Sequence, residues 1–247
     1  MPLNHLLAAV DDSEAGRHAF EVARDLAATI GARLSTMTVV GTLGSVPDYL
    51  VPLDPFVGHG IPGIEIARKA EMAGVDLVIL GRAEEESCRP RVGSTADALV
   101  RRSRVPCFFV PLGQDEFSKA AVAVDGTERG MTVLKRLPDL GDLGIETVDV
   151  RMVEPVESGR RVPGPPSAKN MRIFKALHAV AGNGPRPSLI VMNGDPVPAL
   201  LSSLDEARKT VLVLGARRGG PGGADRSSGV GRGLLFDAPC AVITIPI

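Results

Sequence analysis

The string AAVDDSEAG at residues 8–16 recurs as VAVDGTERG at residues 122–130. Each consists of a short apolar run, an aspartate and, two positions later, a hydroxyl residue. Three more pairs of strings follow in the same order: GIP at 60–62 with GDP at 194–196, DLVILGR at 76–82 with TVLVLGA at 210–216, and VPC at 105–107 with APC at 238–240. Matched strings in one order indicate an internal duplication. The sequence therefore predicts two copies of one domain, a first copy at residues 1–112 and a second copy at residues 117–247.

Strand and helix patterns alternate along the second copy. The predicted strands are 119–125, 145–153, 188–193, 210–215 and 240–245, and the predicted helices are 128–137, 167–181, 197–208 and a short helix after the glycine-rich loop. Such alternation predicts the α/β class, with an open parallel sheet covered by helices on both faces. The first copy is abbreviated after its second strand. There we expect the Pro- and Gly-rich stretch Gly41–Gly60 to be an irregular excursion that replaces a helix and a strand.

The composition argues against several classes of function. A net charge of −1, with 3% aromatic residues and no Trp, offers neither global attraction to nucleic acid nor platforms for base stacking. The apolar segment at residues 1–10 lacks a basic leader and is cut off by two aspartates, so we expect no signal peptide, no membrane span and a cytoplasmic location. Cys88, Cys107 and Cys240 have no paired spacing, which predicts structural thiols instead of disulfides or a zinc site.

The loops after the first and fourth strands are the candidate ligand loops. Ligands of open parallel sheets bind beyond the carboxyl ends of the strands, where helices begin with unpaired N–H groups. Asp11 and Asp125 are each followed by a hydroxyl residue that either caps the next helix, the interpretation we favour, or bonds a ribose. Gly81 and Gly215 open loops that lead on to Ser or Thr. This composition fits either a phosphate cradle or a flexible surface loop.

Taken together and in order, these motifs resemble the universal stress protein family over nearly the whole chain. The matching strings are VDDS at 10–13, VDGT at 124–127, GDP at 194–196 and the two Pro-Cys strands. The resemblance implies that ATP, with magnesium, is bound by the first-strand aspartate, a second-strand backbone group, and the fourth-strand glycines with the following Ser or Thr. Carried over to this sequence, those residues are Asp11, Val39, Gly81, Gly93, Ser94 and Thr95 in the first copy and Asp125, Met152, Gly215, Gly219, Ser228 and Gly229 in the second.

The second copy is the predicted place of nucleotide binding. In the first copy Glu84 stands at the second motif glycine and is followed by Glu85 and Glu86, whose carboxylates would repel a triphosphate. The corresponding loop of the second copy carries Arg217 and Arg218 instead. We therefore expect a stress-response protein that binds an adenine nucleotide in at most one half, as a regulatory switch, without a dedicated catalytic set.

The resemblance also implies how the copies associate, since family members pair through their last strands. The apolar strands Cys107–Val110 and Cys240–Ile245 are therefore predicted to form an internal pseudo-dimer, which buries edges that would otherwise invite aggregation. The sequence leaves open whether two such chains also form a homodimer, and it identifies no particular protein partner.

Three alternative functions remain at this point. A degenerate module would bind no nucleotide and act through protein partners. A response-regulator receiver would use Asp11 and Asp12 for magnesium, but Gly81 stands where its phosphoacceptor aspartate belongs. A hydrolase or nucleotidyl transferase would need a base, nucleophile or metal set. The chain has four histidines, and no two of them lie at equivalent positions of the two copies: His5, His18, His59 and His178. Only His59, within the excursion, is kept as a candidate.

Overall fold

Strands and helices alternate in the computed structural model, which describes residues 3–40, 45–82, 94–138, 143–154, 171–173, 175–177, 187–204, 207–217 and 229–247. The first copy contains β1 (His5–Ala9), α1 (Glu14–Ile30), β2 (Arg33–Val40), β3 (Phe56–His59), α2 (Pro62–Met72), β4 (Leu77–Arg82), α3 (Ser94–Arg102) and β5 (Cys107–Pro111). The second contains β6 (Lys119–Val124), α4 (Glu128–Arg136), β7 (Thr147–Glu154), β8 (Ser188–Asn193), α5 (Pro196–Ser202), β9 (Thr210–Ala216), α6 (Gly229–Asp237) and β10 (Ala241–Pro246). The predicted α/β class is confirmed.

The strands form one ten-stranded sheet in the order β3-β2-β1-β4-β5-β10-β9-β6-β7-β8. Neighbouring strands are parallel except at the β5–β10 seam, where the two run antiparallel with Phe109 opposite Val242 and Phe108 opposite Ile243. The predicted pairing of the last strands is thus confirmed. Because the strand order is mirrored about the seam, the carboxyl ends of β4 and β9 lie at equivalent places in the two halves.

The excursion predicted at Gly41–Gly60 contains a strand, so that part of the prediction was wrong. Phe56–His59 forms β3 and pairs in parallel with β2, from Met37 opposite Phe56 to Val40 opposite His59. Only the helix is replaced, by a turn and the single 3-10 turn Val51–Leu53. The strand escaped prediction because it has four residues, sits at an edge of the sheet and includes a glycine.

Other element boundaries moved by a few residues. The strand at 188–193 matches its prediction, whereas the helix predicted at 197–208 ends at Ser202. Arg151 of β7, only 2% exposed, donates from Nη1 to the carbonyl oxygen and the hydroxyl of Ser203, the C-cap residue, and so satisfies a carbonyl at the end of the helix. Of the helix predicted at 167–181, residues 171–173 and 175–177 are described and helical. The remainder lies outside the described residues.

Helix α1 lies close against the sheet because small side chains form its inward face. Ala15, Ala19, Ala23 and Ala27 are all buried there. A row of alanines keeps the helix backbone near the strands, since no longer side chain separates them. Among the described helices, none combines the length and apolar character needed to cross a membrane.

The helix pairs α2–α3 and α5–α6 obtain close packing from glycines on opposite partners. In the first copy, Gly63 of α2 faces the backbone of α3 at Thr95 and Leu99, so closely that a Cβ would overlap it. In the second copy Val197 occupies the position of Gly63, and the small residue is Gly233 of α6, where a Cβ would lie 3.3 Å from a Val197 methyl. Each pair is therefore complementary within its own copy.

The linker between the copies is fixed by a buried side chain. Gln114 is 3% exposed; its Nε2 donates to the carbonyl of Thr210 (2.9 Å) at the start of β9, and its Oε1 accepts from the N–H of Ala241 (2.6 Å) at the start of β10. The Nε2 of His18 in α1 lies 3.3 Å from the Gln114 carbonyl oxygen. Gln114 thus ties the linker to two strands of the second copy through its side-chain amide and to a helix of the first through its backbone carbonyl.

Arg82, at the end of β4, reaches across the seam to α6. Its Nη1 donates to the carbonyl of Leu235 (3.3 Å) and its Nη2 to the carbonyl of Ala238 (2.6 Å). Carbonyls at the end of a helix lack donors from the next turn, so a guanidinium there satisfies them. The residue after the first-copy motif glycine therefore joins the two copies.

Candidate functional site

The first-strand aspartates organise the starts of α1 and α4 in the same way. Asp11 Oδ1 accepts from the backbone N–H (3.1 Å) and the hydroxyl of Ser13, and that hydroxyl accepts from the N–H of Gly16 (3.0 Å). Asp125 and Thr127 repeat this arrangement. The favoured interpretation of the hydroxyls as helix caps is confirmed. One oxygen of each carboxylate is thereby committed to the cap.

In the first copy, the place beside the motif glycine is filled by the chain itself. A Cβ on Gly81 would overlap the carbonyl group of Ala15 and lie 2.9 Å from the backbone nitrogen of Gly16. The first turn of α1 therefore rests directly on the end of β4. The glycine is explained by this close approach of helix and strand, with no ligand needed.

Tyr49, from the segment that replaces a helix in the first copy, covers the neighbouring loop. Its hydroxyl donates to the Asp11 carbonyl (2.7 Å), and its ring packs beside Phe20 (5.8 Å between centroids) with the Arg17 guanidinium 4.8 Å from the ring centre. Burial, and then the Asp11 carboxylate, raise the pKa of Tyr49, so the phenol stays a donor. This contact places a side chain of the first copy next to its own candidate aspartate.

In the second copy the equivalent place is an open cleft of about 110 Å³ at the carboxyl ends of β9 and β10. The nearest atoms to a Cβ on Gly215 would be side-chain methyl groups of Ile247 and Val133, each 2.9 Å away. The cleft is lined by Asp97, Val100, Arg101, Asp125, Arg129, Leu214, Gly215, Ala216, Arg217, Gly231, Arg232, Leu235, Phe236, Thr244 and Ile247. It therefore includes the two second-copy residues, Asp125 and Gly215, that follow the first and fourth strands.

The two copies differ here because α4 stands farther from its strand than α1 does. The repeat places Arg129 where the first copy has Ala15, and Val133 where it has Ala19. Alanine lets α1 rest its first turn on Gly81, whereas Val133 is the α4 residue nearest Gly215. The larger side chains separate helix from strand, and the space between them becomes part of the cleft.

Positive charge exceeds negative charge around this cleft. Its arginines are Arg101, Arg129, Arg217 and Arg232, against two aspartates, Asp97 and Asp125. Asp97 accepts from Arg101 Nε (2.9 Å) and Nη2 (3.2 Å), and Arg232 Nε lies 3.6 Å from Asp97 Oδ1. Within the described part of the chain, Arg129 and Arg217 have no acidic partner. Such a surrounding favours an anionic ligand.

The sequence-predicted residues of the second copy divide between the cleft and the sheet. Asp125 and Gly215 line the cleft, and Gly229 begins α6, whose first turn lines it as well. Met152 lies inside the sheet with Val124 on one side and Val191 on the other, and its side chain is in the core. Gly219 and Ser228 lie outside the described residues.

The predicted residues of the first copy are dispersed by comparison. Val39 pairs with Gly58 inside the sheet, and the Thr95 carbonyl faces Gly63 of α2. Ser94 is the first residue of α3, and Gly93 lies outside the described residues. Asp11 lies beside Tyr49, and Gly81 lies beneath the first turn of α1.

Sequence reasoning missed four charged residues of the cleft: Asp97, Arg101, Arg129 and Arg232. Arg129 could have been found, because it replaces an alanine in an otherwise matching string. The spacing of Asp97 and Arg101 indicates an ion pair on one helical face. That α3 of the first copy reaches a cleft of the second could not be inferred, since it depends on how the copies pack across the seam.

None of the described histidines and cysteines lines the cleft, and Cys88 lies outside the described residues. His5 is buried with Nε2 2.8 Å from Ser35 Oγ, His18 contacts the linker, and His59 is exposed at the end of β3; His178 lies outside the described residues. No group of three His, Cys, Asp or Glu side chains among the described residues could hold a metal ion.

The two described thiols are embedded in the core on either side of the seam. Burial raises the pKa of Cys107 to about 12 and that of Cys240 to about 11. Cysteines that are buried in apolar surroundings are chemically inert. Both cysteines therefore serve packing, in agreement with the sequence interpretation.

No protein-family model and no curated protein matches the sequence. Solved structures match over its whole length: a universal stress protein from Archaeoglobus fulgidus superposes with a TM-score of 0.73 at 16% identity, covering 99% of this chain and 98% of that one. This chain has the universal stress protein fold. The same fold relates it to a candidate universal stress protein from Pseudomonas aeruginosa (TM-score 0.67, 15% identity, 99% and 93% covered). A functionally unknown protein from that organism is also similar (0.68, 15%, 99% and 92%).

Because these matches span nearly the full length of both chains, the universal stress fold describes the doubled arrangement as a whole, with both copies in one sheet. At these identities the likeness concerns architecture. What the cleft binds has to be argued from its own residues.

Proposed function

We propose that this chain is a tandem universal stress protein that binds an adenine nucleotide in the cleft of the second copy, as a regulatory switch without a dedicated catalytic set. The observation that carries the proposal is the contrast between the copies. Gly215 lines the cleft and has only side chains next to it, whereas the backbone of α1 rests directly on the equivalent Gly81. Ligands of open α/β sheets bind at the carboxyl ends of strands, where this cleft lies.

The residues of the cleft fit the parts of a nucleotide. Arg129 and Arg217 offer guanidinium groups, which bind phosphate oxygens in bidentate fashion. Asp125 Oδ2, the oxygen not used for the cap, makes no hydrogen bond to a described residue and is an acceptor suited to a ribose hydroxyl. Phe236 and Leu235 supply apolar surface to the lining. Magnesium would enter with the phosphates, because this ion is commonly held by phosphate and water oxygens.

The test combines recovery and titration. Freshly purified protein is denatured and any released small molecule is identified by mass spectrometry, and the stripped protein is then titrated with ATP, ADP and AMP by calorimetry. We expect adenine nucleotide in the extract or a micromolar ATP isotherm. An empty protein with no heat at millimolar nucleotide would contradict the proposal and favour a module that acts through protein partners.

Replacing Arg129 by alanine, the residue found at the equivalent position of the first copy, should weaken ATP binding about tenfold or more, because a charge-assisted bond to phosphate is lost. Arg24→Ala is the matched control: Arg24 is an exposed arginine of α1 paired with Asp25, and it does not line the cleft. Equal affinity in the Arg129 variant and the control would exclude Arg129 from the site.

A further inference from the structure

Of the two arginines that contact Asp97, Arg232 is the more loosely held. It lies in the first turn of α6, its side chain is 49% exposed, and its Nε stands 3.6 Å from Asp97 Oδ1, beyond a normal hydrogen bond. Asp97 does not depend on it, since Arg101 already occupies both carboxylate oxygens. Among the described residues, Arg232 is therefore held by charge attraction to Asp97, and it can leave without stranding that carboxylate.

An anion in the cleft offers Arg232 a better partner. The arginine lines the same space as Arg129 and Arg217, so a phosphate group there would be attracted by all three guanidiniums. The first turn of α6, at Gly229 and Gly231, adds helix N–H groups that have no acceptor within the helix. Exposed ion pairs are weak, whereas hydrogen bonds between a guanidinium and phosphate oxygens are among the strong ones.

Asp97 belongs to the first copy, although the cleft it lines lies at the strand ends of the second. Its ion pair with Arg232 joins α3 to α6 beside the β5–β10 seam. A ligand that takes Arg232 would loosen this contact, and the contact in turn would oppose the ligand, because coupling between two equilibria is reciprocal.

We propose that Asp97 of the first copy restrains the anion affinity of the second-copy cleft by competing for Arg232. Its ligand class is a small molecule that carries a pyrophosphate or longer phosphate chain. This inference rests on the proposed function for the place of binding, but it requires only the phosphates and no adenine.

The experiment is a double-mutant cycle on the full chain, read by calorimetric titration with inorganic pyrophosphate and, separately, with ATP. We expect Asp97→Asn to raise pyrophosphate affinity about threefold to tenfold, since a competing charge is removed. Arg232→Gln should lower it about tenfold. In the Arg232→Gln background, Asp97→Asn should have less than half of its effect on the binding free energy, because the residue competed for is gone.

Asp25→Asn controls for the overall change of charge, because Asp25 is an exposed carboxylate of α1 that is also paired with an arginine. It should leave the pyrophosphate affinity unchanged, and circular dichroism should show that every variant is folded. An unchanged affinity in Asp97→Asn would overturn the proposal, as would an equal gain with and without Arg232, since Asp97 would then act by charge alone.

The two proposals fail in different ways. If pyrophosphate responds as expected but ATP binds no better than pyrophosphate, the restraint stands and the adenine assignment is wrong. If ATP binds and the cycle shows no coupling, the nucleotide site stands and the restraint is wrong. If neither compound binds to the wild type or to Asp97→Asn at millimolar concentration, both are wrong.

Discussion

Gly81→Ala should destabilise the protein by about 3 kcal/mol or more, whereas Gly215→Ala should cost about 1–2 kcal/mol. At Gly81 the new methyl group would meet the backbone of Ala15 and Gly16 in α1, which cannot move without shifting the whole helix. At Gly215 it would meet only side-chain atoms: Cδ1 of Ile247, which can rotate, and Cγ2 of the buried Val133, which has to shift by a few tenths of an ångström. Urea unfolding of the two variants measures both values.

Each of the two variants is the control for the other, because both replace a glycine near the end of an equivalent strand. A similar loss of stability at both positions would mean that α1 does not rest on β4 more tightly than α4 rests on β9. The Gly215 variant also bears on binding, since its methyl group enters the cleft. We expect it to remain folded while its affinity for nucleotide falls.

Gln114→Ala should lower the free energy of unfolding by about 2 kcal/mol, the second large effect. The buried N–H of Ala241 would lose its acceptor, and the carbonyl of Thr210 would lose one of its donors. Glu116→Ala is the control, because Glu116 is an exposed linker residue in an ion pair with Lys209, and such pairs contribute little. Thermal and urea unfolding would measure both variants.

Gln114→Glu separates the two hydrogen bonds. The carboxylate can still accept from Ala241, but when ionised it cannot donate to Thr210 and places a charge in a buried position. Burial should raise the pKa of the introduced carboxyl, so this variant should regain stability relative to the wild type as the pH falls through that pKa. If Gln114→Ala is as stable as the Glu116 control, the linker is not held by this amide.

The parts of the fold that follow from local pattern could be predicted. Capping by Ser13 and Thr127 depends on neighbouring residues, and the duplication was visible in the strings around them. The pairing of the last strands followed from the family resemblance, and β5 and β10 do pair. What escaped was β3, whose residues Phe56–His59 carry too little pattern to reveal an edge strand.

The candidate site was only half predictable, and the reason is geometric. Asp125 and Gly215 were found because strand ends of a parallel sheet meet at one edge. The cleft itself depends on how far α4 stands from β9, which is set by Arg129 and Val133, and on the reach of α3 across the seam. Neither the spacing between α4 and β9 nor the position of α3 across the seam can be inferred from the residues next to the motif glycines.

The reversed glycine positions of the two helix pairs act as a safeguard during folding. Two copies on one chain risk docking a helix of one copy onto the sheet of the other, a common failure of repeated domains. If α6 packed on α2, Gly233 would face Gly63 and leave a void; if α3 packed on α5, Val197 would press into the backbone near Leu99. Each mispairing should therefore be disfavoured by shape, because a clash or a void against the wrong partner contributes to specificity as well as good contacts with the right one do. The two halves of the duplicated chain thus differ in which helix of each packed pair carries the glycine: α2 in the first copy and α6 in the second.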